Sequence, residues 1–339
     1  MENNSEKHSI VIDAMGGDLA PGEIIKGTIE AQERFGIKTV LVGNRKKINL
    51  SASENNLDIS TLEIVDSISE VAMDDSPSDI IKNKKDCSMY IGSRLVYEGK
   101  GGAFLSAGNT GAAMACSLFN IKRIKDVFRP AIAVVIPIAG SRFVLIDGGA
   151  NADCKPQYLA QFAIMGKVYA ENILGIRDPR ISILNIGIEE KKGSTLAIES
   201  HSLIKKIKGL NFRGNIEGRE IFTDYTDVVV TDGFTGNVLL KSIEGMAKMF
   251  FGEVREALTS SRISKIAALV LKKPLTAMKN KFDYETYGGA QLLGLNAPVI
   301  ISHGSSKARA VKNAIRAADE SLKTDLTEKI RKEIEIADI

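Results

Sequence analysis

The sequence predicts an α/β fold, a Rossmann-like, doubly wound and mostly parallel sheet with a protruding amphipathic helical pair, and three observations lead there. Short apolar, β-branched runs recur along the chain, most are apolar throughout instead of alternating, and segments of helical period lie between them. Successive side chains of a strand point to opposite sheet faces, so a strand buried on both faces needs apolar residues at every position. Helices must then cover both faces, and strand–helix alternation supplies them. At ~100–200 residues per domain, 339 residues make two domains' worth of core or one large α/β unit. No linker, internal repeat or low-complexity tract divides the chain, so we read 1–339 as a single domain.

Strands are expected at 10–12, 39–42, 62–65, 103–105, 131–136, 143–146, 181–184, 228–230 and 299–301. Helices are expected at 21–35, 110–121, 156–174, 195–207 and 235–258. In the first helix Pro21 suits an initial helical position, where an N–H has no partner to lose, and Ile24, Ile25, Thr28, Ile29 and Gln32 form a stripe ending at Gly36. Residues 66–85 are polar without a clear period and read as a long surface or active-site loop. In 255–281, Ile263, Ile266, Ala267, Leu269, Val270, Leu271, Leu275 and Met278 interleave with Arg262, Lys265, Lys272 and Lys273, and no carboxylate stands between Glu256 and Asp283. This segment reads as a basic amphipathic helical pair suited to an anionic bilayer or an acidic protein. Residues 306–339 read as a charged helix or helix pair covering the sheet.

Composition removes several classes. With 44% hydrophobic and 26% charged residues, 30 glycines and 8 prolines, the chain is neither collagen-like nor disordered. Cys87, Cys116 and Cys154 show no disulfide or zinc spacing and fit a reducing cytoplasm. The polar first eight residues run straight into a strand, so no signal peptide is expected. The longest apolar stretch, 131–139, is far short of the ~20 residues of a spanning helix. A net charge of +3 from 45 basic and 42 acidic residues is too small to imply nucleic-acid binding.

The glycines gather directly after expected strands. They occur at 13–18 with Gly16, Gly17 and Asp18, and at 106–111 with Gly108, Asn109, Thr110 and Gly111. They recur at 147–151 with Asn151, at 185–187 with Asn185 and Gly187, and at 232–237 with Asp232, Thr235, Gly236 and Asn237. Carboxyl ends of parallel strands are where α/β sheets take ligands, and a glycine loop opening a helix aims N–H groups at an anion. Lys192, beside Gly193 at a helix entrance, is a candidate anion contact or oxyanion stabiliser. His303 and Ser305 close a strand beside a Gly-Ser-Ser turn and are further candidates, whereas His201 reads as a surface residue of a polar helix. No dinucleotide or P-loop fingerprint and no G-x-S-x-G elbow occurs, and His8, His201 and His303 lack metal spacing, so no cofactor or metal is expected.

Taken in order, these loops, with 287–290 and 292–294 running into 303–306, resemble the PlsX phosphate acyltransferases of bacterial phospholipid synthesis over about 9–312. The pattern departs at Leu19, Gly148 and Ile188, so no role falls to the side chains at 19 and 188. The resemblance implies an isocitrate/isopropylmalate dehydrogenase-like sheet and transfer of an acyl chain from acyl carrier protein to inorganic phosphate. The acyl phosphate then serves a glycerol-3-phosphate acyltransferase. It also implies a cytoplasmic, peripherally membrane-associated homodimer whose 255–281 segment serves the dimer, the carrier or the membrane. Phosphate is its own nucleophile, so such an enzyme needs an anion site and an oxyanion contact but no activated side chain. Gly108, Asn109, Thr110, Asn185 and Lys192 would contact phosphate and carbonyl, Asp232, Thr235 and Asn237 would orient the site, and Asp13 and Asp18 would organise the first loop. Three other readings stand beside it: a phosphate acetyltransferase-like enzyme using acyl-coenzyme A, a dehydrogenase on the same fold, and a non-enzymatic membrane scaffold.

Overall fold

A computed structural model of the chain describes residues 8–72, 74–281, 288–337 and 339. Its first half runs β1 (Ile10–Asp13), α1 (Gly22–Phe35), β2 (Thr39–Gly43), α2 (Arg45–Glu54), β3 (Glu63–Asp66), α3 (Pro77–Asn83), α4 (Ser88–Tyr97), β4 (Ala103–Ser106) and α5 (Thr110–Asn120). There follow β5 (Ala131–Pro137), β6 (Arg142–Ile146), α6 (Pro156–Asn172), β7 (Arg180–Asn185), α7 (Thr195–Ile204), β8 (Asn211–Glu217) and β9 (Val228–Val230). The chain closes with α8 (Gly233–Thr259), α9 (Arg262–Lys281), β10 (Ala290–Leu293), β11 (Val299–Ile301), α10 (Ala308–Lys323) and α11 (Leu326–Ala337).

All eleven strands join one sheet in the order β3-β2-β1-β4-β11-β10-β5-β6-β9-β7-β8. From β3 to β11 neighbours pair parallel, as they do from β6 to β8. Between these blocks β11–β10, β10–β5 and β5–β6 pair antiparallel, so the two parallel blocks run in opposite directions. The 3.6-residue and two-sided patterns are realised in the core. Val11 and Phe104 face a cluster under α4, α5 and α8, while Ile10, Ile12 and Leu105 face α1 and α10. In the second block Val144, Ile146, Val228 and Val230 pack against α6 and α11.

The structure adds elements where the sequence pattern is weak. Residues 66–85, expected as loop, contain α3, whose start is set by Pro77 in the first turn and by Ser76 Oγ accepting from Asp79 N at 3.2 Å. Strand β8 has a polar, half-exposed sequence because it is the sheet edge, and β10 carries the buried Gln291, satisfied by Ser321 Oγ at 2.9 Å. His201 is not on the surface: it is buried, and its ring stands edge-on to Phe212 of β8 at 5.0 Å. Burial lowers its pKa, because desolvation penalises the imidazolium. A helical pair is present, with other bounds than expected: 255–281 holds only the end of α8 and one helix, α9, and the pair is α8 with α9. Helix α9, with Pro274 inside it, packs on α8 and leaves Leu269 and Val270 74% and 77% exposed. The side chains of Arg262, Ile263, Ile266 and Ala267, and Tyr287 of the motif at 287–290, lie outside the described residues.

A close backbone approach pins α1 to α10. A Cβ on Gly27 would lie 2.6 Å from both the Ala308 carbonyl oxygen and Val311 Cβ, and Lys312 pairs with Glu30 at 2.6 Å across the same seam. Gly27→Ala is therefore expected to destabilise by about 1–3 kcal/mol despite alanine's better helix propensity, read as a lowered Tm in thermal unfolding.

Candidate active site

The carboxyl ends of β1, β4 and β11 form the first cluster. Asp13, the last residue of β1, is buried, and its Oδ1 accepts from Met15 N at 3.1 Å while Ser106 Oγ donates to its Oδ2 at 2.7 Å. The Ser88 hydroxyl and the Gly16 N–H also bond to this carboxyl. Burial pushes the Asp13 pKa up, against the pull of these bonds. The result is a loop packed closely on its neighbour: a Cβ on Gly16 would meet Gly108 N at 2.7 Å. Asn109 caps α5 by accepting from Ala112 N at 2.9 Å, and its Nδ2 donates to the Asp75 carbonyl at 3.4 Å. Pro77 touches the position of Gly111, so the 66–85 segment lies over this cluster. Across from it, Asp18 N donates to the Gly304 carbonyl at 2.8 Å, and His303 Nδ1 shares a 2.9 Å hydrogen bond with Ser305 Oγ.

The second cluster belongs to β6 and β9. Asp147 is buried, and its Oδ1 accepts from Ile132 N, Gly149 N and Ala150 N at 3.0, 3.1 and 2.9 Å. Its Oδ2 accepts from Asn151 N and Asn151 Nδ2, both at 2.8 Å. Burial raises the pKa of this group also, with the hydrogen bonds opposing it. The loop so formed receives the start of α8: Gly233 N donates to Asn151 O at 2.7 Å, and a Cβ on Gly236 would collide with the Asp147 carbonyl oxygen. Asp232 caps α8, accepting from Thr235 N and Thr235 Oγ1 at 2.8 Å each, and Asn237 lies against Gly149.

The loop after β7 sits beside the second cluster because β7 pairs with β9. Asn185 closes it, with Nδ2 donating to Lys192 O at 2.9 Å and Oδ1 accepting from Ile186 N at 2.8 Å. Gly193, at φ +96°, takes a conformation side chains rarely adopt, directly against the Asn185 amide. Lys192 Nζ stands 3.3 Å from Glu189 Oε1, half-exposed, and Gly187 packs on the lysine stem. Its ammonium is held near the strand end without being buried.

Thus the expected residues assemble as two groups on oppositely directed blocks. Gly16, Gly17, Asp18, Gly108, Asn109, Thr110, Gly111, His303 and Ser305 form one, and Asn151, Asn185, Gly187, Lys192, Asp232, Thr235, Gly236 and Asn237 the other. Sequence reasoning gave no role to Asp147, although Asp-Gly-Gly directly after a strand was the available signal. Ser88 and Asp75 carried no signal, being brought in by a segment of weak pattern. The cysteines are unsuited to nucleophilic work. Cys87 and Cys116 are fully buried, Cys116 with its pKa far raised by its hydrogen bond to Cys87 and by desolvation, and burial pushes Cys154 up to about 12. Among the described residues no group of His, Cys, Asp and Glu could hold a metal ion.

Comparison with known proteins bears on the family and the fold. A family model described as "Fatty acid synthesis protein" matches residues 8–329. Curated relatives named phosphate acyltransferase include one from Desulfitobacterium hafniense, 44% identical over 96% of this chain and 97% of the relative. Another, from Aquifex aeolicus, is 45% identical over 95% of each chain. Among solved structures, a phosphotransacetylase from Streptococcus pyogenes has a TM-score of 0.66 at 17% identity, covering 95% of this chain and 97% of that one. A 4-hydroxythreonine-4-phosphate dehydrogenase from Klebsiella pneumoniae has a TM-score of 0.52 at 12% identity, covering 93% and 97%. At such identities these structures speak for the fold alone.

The two buried carboxylates should answer differently to amide replacement. Around Asp13, Oδ2 receives the Ser106 hydroxyl, which can turn round and accept from an amide, and a second hydroxyl, that of Ser88, bonds the same carboxyl; around Asp147 both oxygens face backbone N–H donors. Asp147→Asn should therefore cost about 2–3 kcal/mol by setting an NH₂ against an N–H, whereas Asp13→Asn should cost less than about 1 kcal/mol. Urea unfolding of both variants measures the difference.

Proposed function

We propose that this chain, which belongs to the fatty acid synthesis protein family of phosphate acyltransferases, moves a fatty acyl chain from acyl carrier protein to inorganic phosphate. The observation that carries the reading is a set of strand-end loops opening capped helices, in a chain whose thiols are all buried or held protonated. A phosphate oxygen attacks the thioester carbonyl carbon, the carbonyl oxygen becomes an oxyanion, and the C–S bond breaks as the intermediate collapses. The sulfur leaves as thiolate and takes a proton from solvent, giving acyl phosphate and free carrier thiol. The protein has to position two groups and neutralise charge, and nothing in the step requires a covalent enzyme intermediate.

In this reading Gly108, Asn109 and Thr110 hold phosphate at the start of α5, with Gly16, Gly17 and Gly111 keeping the loops close enough for backbone contact. Lys192 and Asn185 meet the oxyanion, Asp232, Thr235 and Asn237 orient their loop, and His303 with Ser305 borders the phosphate side. The sheet's twist supports one cleft built from both groups. Five neighbour steps separate β1 from β6 in the strand order, and ~20–25° per step turns one strand roughly 100–125° against the other. The two sets of carboxyl ends therefore point obliquely together instead of back to back.

Helix α9 lies on an anionic bilayer in this account, with Leu269 and Leu271 inserted and Lys272 and Lys273 at head-group level. The exposed Phe234, Val238, Met246, Met249 and Phe250 of α8 suit burial by a second copy in a homodimer. Such an enzyme is cytoplasmic and peripherally bound, and hands acyl phosphate to a glycerol-3-phosphate acyltransferase. No helix among the described residues is long and apolar enough to cross a membrane.

The test is release of free carrier thiol from palmitoyl acyl carrier protein with and without phosphate, with acyl phosphate trapped by hydroxylamine. Release is expected only with phosphate; release from palmitoyl-coenzyme A in preference to the carrier would favour the acetyltransferase-like reading. Lys192→Ala should lower kcat ~10²-fold at saturating phosphate, and near-normal turnover would remove the lysine from the oxyanion. On phosphatidylglycerol vesicles a Leu269→Glu, Leu271→Glu double variant should stay in the unbound fraction on flotation while wild type floats.

A further inference from the structure

Segment 121–130 repeats with a period of three. Ile121, Ile124, Val127 and Pro130 are buried, and Lys122, Arg123, Lys125, Asp126, Phe128 and Arg129 between them are exposed. Four cations thus stand against one carboxylate on a short stretch of a chain that is nearly charge-balanced overall. Among the described residues Lys122, Lys125 and Arg129 make no ion pair. Lys122 Nζ lies 5.2 Å from the centre of the Tyr97 ring, and the Tyr97 and Phe119 side chains are themselves exposed.

The segment is built rather than loose. Lys122 and Asp126 adopt φ of 64° and 65°, a left-handed conformation uncommon for residues other than glycine. Asn296 Nδ2 donates to the carbonyls of Ile121 and Arg123 at 3.2 and 2.9 Å, and Arg123 Nη1 donates to those of Val127, at 3.0 Å, and Phe128. Gln161 completes the frame, donating to Asp126 O at 2.9 Å and accepting from Phe128 N at 2.8 Å. A cleft of about 400 Å³ lies between Leu118 and residues 122–127. The far end of the segment touches the second cluster directly, since Asn151, bonded to Asp147, also donates from Nδ2 to Pro130 O at 2.8 Å.

We propose that this face, 121–129 with Tyr97 and Phe119, docks the acidic carrier protein, which leaves α9 to the bilayer. The assignment rests on the carrier-dependent reaction proposed above. Charge complementarity selects the occupant: unpaired lysines and an arginine around exposed aromatic rings and a cleft suit an acidic folded protein. A preorganised backbone spares the ordering cost of docking. The contrast with α9 is one of texture, since α9 presents consecutive aliphatic side chains with lysines behind them, the pattern of a bilayer-lying helix. Contact with the Asp147–Asn151 loop places the docked carrier beside the proposed cleft.

The experiment uses the triple variant Lys122→Glu, Lys125→Glu, Arg129→Glu and, separately, Tyr97→Ala as a milder change. Titration of fluorescently labelled palmitoyl carrier protein is followed by anisotropy, and turnover is measured with that carrier and with palmitoyl-pantetheine, a thioester without the protein. The triple variant should bind carrier at least ~10-fold more weakly and show a matching rise in KM for it. Its kcat, its palmitoyl-pantetheine turnover, its Tm and its flotation with phosphatidylglycerol vesicles should be unchanged. Tyr97→Ala should weaken carrier binding several-fold. Unchanged carrier affinity overturns the proposal, as does loss of vesicle flotation in its place, which would give the face to the membrane. So would loss of carrier binding in the Leu269→Glu, Leu271→Glu variant, which would return the carrier to α9. Wild type that binds the carrier through this face but cleaves neither thioester would instead refute the reaction, since the anisotropy arm needs no turnover.

Discussion

Hydrogen bonding in the middle of the sheet decides where every loop of this protein can go. Two antiparallel strands, β10 and β5, stand between blocks that are parallel within themselves, and each block must then send its carboxyl ends the opposite way. A parallel ladder alone would have lined all the glycine loops along one edge. The reversal splits them into two sets, and the twist of the sheet turns one set obliquely to the other.

Both loop groups are held by one device, a buried carboxylate at the end of a strand that gathers the N–H groups of the loop following it. Burying such a charge is unfavourable unless hydrogen bonds replace its hydration, and Asp13 and Asp147 show the compensation in two forms. Asp13 reaches across to Ser106 and Ser88 and so ties β1 to β4 and α4, while Asp147 collects four backbone N–H groups and the Asn151 side chain. With the loops fixed this way, the glycines can approach one another.

A family that uses phosphate as its nucleophile has little use for a reactive side chain, and this chain's buried Cys87 and Cys116 and its His303, bonded only locally to Ser305, fit that economy. What the fold provides instead is placement and charge. The same logic extends to the surface, where cations occur in two textures, one aliphatic along α9 and one aromatic around Lys122, suited to different partners.

Much of this was legible in the residues alone. Continuous apolar runs such as 131–136 and 228–230 marked buried strands, because side-chain alternation in a two-sided sheet leaves no polar positions. The glycine loops after them, and the basic stripe at 262–273, were visible for the same local reason. The sequence alone therefore determined the fold class, the strand-end loops and the family they resemble. It did not show β8, β10 or α3, whose patterns are short or polar because an edge position, a buried Gln291–Ser321 bond and a Ser76 cap stabilise them instead of an apolar face. Nor did it show that His201 is buried, since Phe212 comes from a strand that was itself unexpected. Only the tertiary structure decided strand direction, and with it the division of Asn109 from Lys192, because pairing sense is set by contacts between segments remote in sequence.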